Sequence, residues 1–112
     1  PVLVIRLAEM YLIKAEAGAY TNGDITEIQG NIDVIRARAG LEPTTASTYD
    51  ELKIAIENER RFEFAFEGHR WFDLVRTRRA TAILGIEEYQ TLFPIPLSEM
   101  TTNRLMEQNP GY

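Results

Sequence analysis

From residue 4 to about residue 66 the apolar residues of this chain return at every third or fourth position, the spacing that gathers them on one face of an α-helix. Ala8, Tyr11, Leu12, Ala15 and Ala19 make the first stripe, predicting a helix from Val4 to about residue 20. The pair Asn22-Gly23 breaks it, and Asp24 with Glu27 three residues later reads as the capping start of a second helix. That helix carries Ile28, Ile32, Ile35 and Ala39 on one side and stops at Gly40. The polar connector LEPTTAST (41–48) follows, and either Ser47 with Asp50 or Thr48 with Glu51 opens a long third helix. Its single face holds Leu52, Ala55, Ile56, Glu59, Glu63 and Phe66, so two carboxylates stand inside an otherwise apolar stripe. Gly68 interrupts it, and a short fourth helix is expected from residue 70 to about 79, with Trp71, Leu74 and Val75 on its apolar side.

Beyond Gly85 the helical pattern is lost. LFPIP (92–96) has two prolines that oppose helix, and QNPGY (108–112) places Pro110 and Gly111 at the centre of an expected type II turn. A few residues near 92–96 read as extended, but no alternating run is long enough for a strand. The fold class is therefore all-α: a tetratricopeptide-like helical hairpin, a long third helix, a short fourth one and an irregular proline-rich C-terminal tail. Glu16 departs from the tetratricopeptide pattern, which favours glycine or alanine at that place, and a single copy of the repeat is visible.

At 112 residues, 45% of them hydrophobic and 26% charged, the chain has the size and composition of one folded domain, expected to span residues 1–112. The absence of cysteine removes disulfides, zinc-thiolate sites and thiol nucleophiles from consideration. A net charge of −5 argues against nucleic acid, whose phosphates call for a basic surface. No apolar run has the length of a membrane span, and the opening PVLVIRLAEM has neither an initiator methionine nor a signal peptide, which leads us to expect a piece of a longer protein.

Residues 66–76, FEGHRWFDLVR, concentrate catalytic residue types, including the sole histidine and sole tryptophan. Glu67, His69 and Asp73 could be drawn as a metal site, but Gly68 interrupts the helix and no second histidine exists, so no metal is expected. A serine–histidine–acid arrangement would need Ser47 or Ser98, both of which read as helix caps. Glu59 and Glu63 have Arg60, Arg70 and Arg76 nearby, and a carboxylate held against a guanidinium keeps a low pKa, which disfavours it as a general acid. Trp71 is a candidate sugar-stacking ring; the alternative is that Trp71, Phe72 and Leu74 dock the fourth helix on the third. Arg76, Arg78 and Arg79 suit a helix C-terminus. No catalytic residue and no cofactor are expected.

The order of five stretches is more specific than any one of them. RLAEMYLIKAEA (6–17), NIDVIRARAGL (31–41), IENERRFEFAFEGHRWFDLVR (56–76), LFPIP and QNPGY follow one another as in the C-terminal region of SusD/RagB proteins, which this chain resembles over essentially its whole length. The resemblance implies a non-enzymatic portion of a surface lipoprotein of the outer membrane. Such proteins have a helical, tetratricopeptide-type scaffold, capture oligosaccharides and pass them to a SusC-like TonB-dependent transporter; their lipid anchor is an N-terminal cysteine. It also implies that the sugar site is built mainly by loops outside this region, and that Glu59, Arg60, Glu63, Arg70, Trp71, Asp73, Leu74 and Arg76 are structural signatures. A different class of reading, a free-standing tetratricopeptide-like protein-interaction module, rests on the Asn22-Gly23-Asp24 hairpin. A third, an enzyme, would use Glu59, Glu63 and His69.

Overall fold

The structure is a computed structural model that describes residues 5–112. Six α-helices follow one another among these residues: α1 (Leu7–Tyr20), α2 (Ile25–Arg38), α3 (Tyr49–Glu63), α4 (His69–Arg76), α5 (Ala80–Leu84) and α6 (Leu97–Thr102), with a 3-10 turn at Glu88–Thr91 and no strand. The fold is all-helical, as the periodicity requires. Val4, expected to open the first helix, lies outside the described residues. The chain divides into two compact units, Pro1–Arg70 and Trp71–Tyr112.

In the first unit α1 and α2 form the tetratricopeptide-like hairpin and α3 packs against both. Asn22 adopts φ 55, and Gly23 donates its N–H back to the Gly18 carbonyl, so α1 ends in a left-handed closure that asparagine tolerates better than most side chains. Asp24 accepts from the Thr26 N–H and caps α2; Glu27, expected to complete a capping box, instead reaches Lys14 on α1 at 2.7 Å. At the far end of α2, Gly40 takes φ 73 while Leu41 and Gly40 donate to the Arg36 and Ala37 carbonyls, satisfying orphan acceptors of the last turn. Gly18 fits the close approach of α1 to α2, because a Cβ there would stand 2.8 Å from Ile28 Cγ1.

Of the two capping options for α3, Thr48 with Glu51 forms the box, and Glu51 also accepts from the Ser47 N–H. These backbone donors hold the Glu51 carboxyl below its ordinary pKa. Ser47 is therefore not the cap, and Ser98 is not one either: α6 starts from Pro96 with no side-chain cap. The expected stripes are buried at Ala8, Leu12, Ala15, Ala19, Ile28, Ile32, Ile35, Leu52 and Ile56, with Ala39 exposed just past the end of α2. One cluster unites Ala15, Ala19, Ile28, Ile32, Leu52 and Ile56; a second joins Ala8, Leu12, Ile35 and Phe64.

Phe64 is where the expectation fails. The third helix ends at Glu63 rather than continuing to Phe66, and the chain turns from Phe64, which faces inward, to Phe66, which is 108% exposed at φ 64. Once the backbone leaves helical geometry, the three-and-four spacing no longer predicts which side chain points inward.

In the second unit α4 closes through Arg78 at φ 57, with Arg78 and Arg79 donating to the Val75 and Leu74 carbonyls. Arg78 and Arg79 thus follow the helix instead of extending it, and α5 and α6 are short helices that the sequence pattern did not reveal. The tail is ordered by pairing its two proline-bearing stretches. Gln108 accepts from the Ile95 N–H and donates to its carbonyl, Asn109 Nδ2 donates to the Phe93 carbonyl at 2.7 Å, and the Tyr112 hydroxyl donates to the Leu92 carbonyl. The closing turn has Gly111 at φ 94 with Tyr112 N–H directed to the Asn109 carbonyl, in keeping with the expected type II geometry.

A Cβ on Gly111 would meet the Tyr89 ring at 2.4 Å as well as requiring an unfavourable φ. Gly111→Ala is expected to release the tail, raising amide exchange at Ile95, whose N–H donates to Gln108, while leaving exchange in α1–α3 unchanged. In the first unit Thr48→Ala is expected to cost about 1 kcal/mol in chemical denaturation through loss of the cap.

Candidate functional site

The most concentrated polar chemistry lies where the start of α1, the end of α2 and the end of α3 converge. Glu63 closes α3 with its side chain only 8% exposed. Arg6, just before α1, donates Nη1 to Glu63 Oε1 at 2.6 Å and Nη2 to the Glu63 carbonyl at 2.8 Å. Arg38, the last residue of α2, reaches Glu63 Oε2 at 2.5 Å. Arg6 also engages Glu67 through Nε at 3.1 Å and Nη2 at 2.8 Å. One turn back on α3, Glu59 receives Arg36 Nη1 at 3.1 Å, and Arg36 Nε donates to the Glu42 carbonyl at 2.7 Å.

Below this layer the Phe64 ring is flanked by the guanidinium of Arg6 at 5.0 Å, that of Arg60 at 5.2 Å, and the stacked imidazole of His69 at 4.7 Å. Glu9 on α1 faces both Arg60 and His69 at 3.7 Å. Arg70 meets Glu57 at 3.4 Å, and in the second unit Arg76 donates Nε and Nη2 to Asp73 Oδ1 at 3.0 and 2.9 Å.

The carboxylates of the apolar stripe are thus matched with arginines, but with different ones from those nearest in sequence. Glu63 takes Arg6 and Arg38, and Glu59 takes Arg36, whereas Arg60, Arg70 and Arg76 turn to Glu9, Glu57 and Asp73. A residue within one helical turn is a neighbour only if it shares the same face, and the helix ends supply cations better aimed at the acids. Trp71 is partly buried with its ring 5.8 Å from Phe93, while Phe72 is 68% exposed and does not serve as the docking residue expected of it. Glu67, His69 and Asp73 do not assemble: no metal-competent group of three or more such residues occurs among those described.

Burial alone would push the Glu63 carboxyl up, but the hydrogen bonds from Arg38 and Arg6 outweigh it and hold the pKa below the ordinary carboxylate value. The same pairing raises Arg6, chiefly through its bonds to Glu63 and Glu67. An acid that stays ionised between two guanidiniums is a poor proton donor near neutral pH, and the arrangement is that of an internal tie. Beside it, α2, the connector and α3 enclose an open groove of about 580 Å³ whose walls include Leu41, Thr45, Asn58 and Phe62.

Glu63→Ala is expected to lower stability by about 2 kcal/mol or more, since two guanidiniums lose their acceptor, tempered by the solvent that already screens the more than half-exposed Arg38. Because the folded pKa of Glu63 lies below its unfolded value, its contribution is present above about pH 4.3 and fades as pH falls through the folded pKa. Melting temperature followed from pH 7 to pH 3 should therefore fall less steeply in Glu63→Gln than in the parent; parallel curves would show that Glu63 does not drive the acid transition.

The profile of the SusD family matches residues 1–90. SusD-like protein P38 of Formosa agariphila is 32% identical over 124 aligned residues, covering 99% of this chain and 24% of its own length. Starch-binding protein SusD of Bacteroides thetaiotaomicron is 37% identical, with 97% of this chain and 21% of that protein covered. A crystal structure of a SusD-like protein from Bacteroides fragilis superposes with a TM-score of 0.87 at 28% identity, over 99% of this chain and 26% of that one. The chain spans about a quarter of the length of these relatives. A match over most of the chain to the family profile, together with these relatives and the shared helical architecture, makes it a member of the SusD family.

Proposed function

We propose that residues 1–112 are the C-terminal scaffold of a longer cell-surface protein that binds oligosaccharides and delivers them to a SusC-like TonB-dependent transporter in the outer membrane. The observation that carries this reading is family membership combined with the similarity to a starch-binding relative. The chemistry of the described residues supports a scaffold role: Glu59, Glu63 and Asp73 are engaged with arginines. The protein is proposed to be a binding protein and not an enzyme. No helix among the described residues is long and apolar enough to cross a membrane, so attachment to the surface is assigned to a lipid anchor elsewhere in the full-length chain. The main sugar site is likewise assigned to the remainder of the protein, with Trp71 a candidate stacking residue carried by residues 1–112. Glu59, Arg60, Glu63, Arg70, Asp73 and Arg76 are assigned the task of holding the scaffold.

The full-length protein is expected to bind at least one oligosaccharide class on a broad glycan array and to co-purify with an outer-membrane transporter. Failure of both would overturn the reading. The α1–α2 hairpin favours a second reading, a protein-interaction module; capture of a defined protein partner by the full-length chain, with no glycan binding, would establish it instead.

A further inference from the structure

We propose that Asn22-Gly23 is a site of spontaneous deamidation, and that the closed turn between α1 and α2 holds the reaction off until the turn opens. Of the asparagines in the chain only Asn22 precedes glycine; Asn31, Asn58 and Asn103 precede isoleucine, glutamate and arginine, and Asn109 precedes a proline, which has no N–H. Glycine has no Cβ to hinder the approach of its backbone nitrogen to the neighbouring side chain.

The reaction needs only water as co-reactant. The Gly23 N–H loses its proton, the nitrogen attacks Asn22 Cγ, and the bond from Cγ to Nδ2 breaks as ammonia leaves with a proton. The product is a five-membered succinimide. Water then opens it at one of its two carbonyls, giving aspartate when the bond between Cγ and the Gly23 nitrogen breaks and isoaspartate when the original peptide bond breaks. The chemistry therefore begins with the same proton that amide exchange reads.

In the closed turn that proton is engaged. The Gly23 N–H donates to the Gly18 carbonyl at 2.9 Å while Asn22 holds φ 55. From the other side the hydroxyl of Tyr49, the first residue of α3, donates to the Gly23 carbonyl at 2.9 Å. Thr21 fastens the preceding turn through its N–H and its Oγ1, both donated to the Ala17 carbonyl. Gly23 is thus held at its N–H by α1 and at its carbonyl by α3, so loss of the amide proton requires a local opening, and the observed rate is the chemical rate multiplied by the open fraction. All of these restraints lie within residues 17–49 and do not depend on what the remainder of the protein covers. Isoaspartate would carry the main chain through its side chain, lengthening the backbone by one carbon at the closure, and either product adds a carboxylate two residues before Asp24 and its cap on α2.

The test incubates full-length protein at mildly alkaline pH and follows the tryptic peptide 15–36 by mass spectrometry, since it carries Asn22 together with Asn31 as an internal control. Deamidation at Asn22 is expected to be slower in folded protein than in the same protein unfolded in guanidinium chloride by about ten-fold or more, with Asn31 lagging behind Asn22 in the unfolded state. Tyr49→Phe keeps the ring that packs against the core cluster containing Ala19 and Leu52 and removes only the hydroxyl. It should raise Gly23 amide exchange and Asn22 deamidation together by about five-fold, the factor for one hydrogen bond, with exchange at Ile56 unchanged. Equal rates in folded and unfolded protein overturn the protection. A rise in Gly23 exchange without a matching rise in deamidation overturns the shared opening, and a Tyr49→Phe protein in which neither changes overturns the tie to α3. Unfolded protein in which Asn22 reacts no faster than Asn31 overturns the site itself.

Discussion

The Glu63 carboxylate, held by Arg6 on one oxygen and Arg38 on the other, is the interaction on which the first unit depends. It joins three chain segments at the point where each leaves or enters a helix, and the Arg6 bond to the Glu63 carbonyl also satisfies one of the acceptors that the end of α3 leaves open. An apolar contact at the same place would stabilise without specifying geometry, whereas paired guanidinium–carboxylate bonds are directional. Directly after Glu63 the chain drops Phe64 into the core between Arg6, Arg60 and His69, so the ionic layer and the apolar cluster beneath it share one corner.

The second unit is ordered differently. Few of its apolar side chains are buried, and the tail is organised by side chains of Gln108, Asn109 and Tyr112 that bond the backbone of residues 92–95. Prolines deprive that backbone of internal partners, and amide and phenol groups from the end of the chain take their place. Both units thus turn chemistry that could have been catalytic or binding into internal support.

Much of this was readable from residues close together in the chain. The three main helices, the turn at Asn22, the stop at Gly40 and the Gly111 turn follow from local propensity and backbone sterics, whereas the sequence leaves Ser47–Asp50 and Thr48–Glu51 as alternative starts for α3 and the structure selects the second. The misreadings are equally physical. Phe66 fits a helical stripe only if the helix continues, and it ends at Glu63, exchanging Phe66 for Phe64. The short helices α5 and α6 are too brief to show a period.

The sequence by itself determined that the chain is helical, where its first two helices stop, that its embedded acids would be paired, and, through the order of its motifs, the family to which it belongs. Only the tertiary structure decided which arginine meets which acid. Arg6 is separated from Glu63 by 57 residues and Arg38 by 25, so neither helical period nor adjacency could nominate them over Arg60, which lies beside Glu59 in sequence. The packing angle of three helices brings their ends together, and that is a property of the buried surface between them rather than of any one segment.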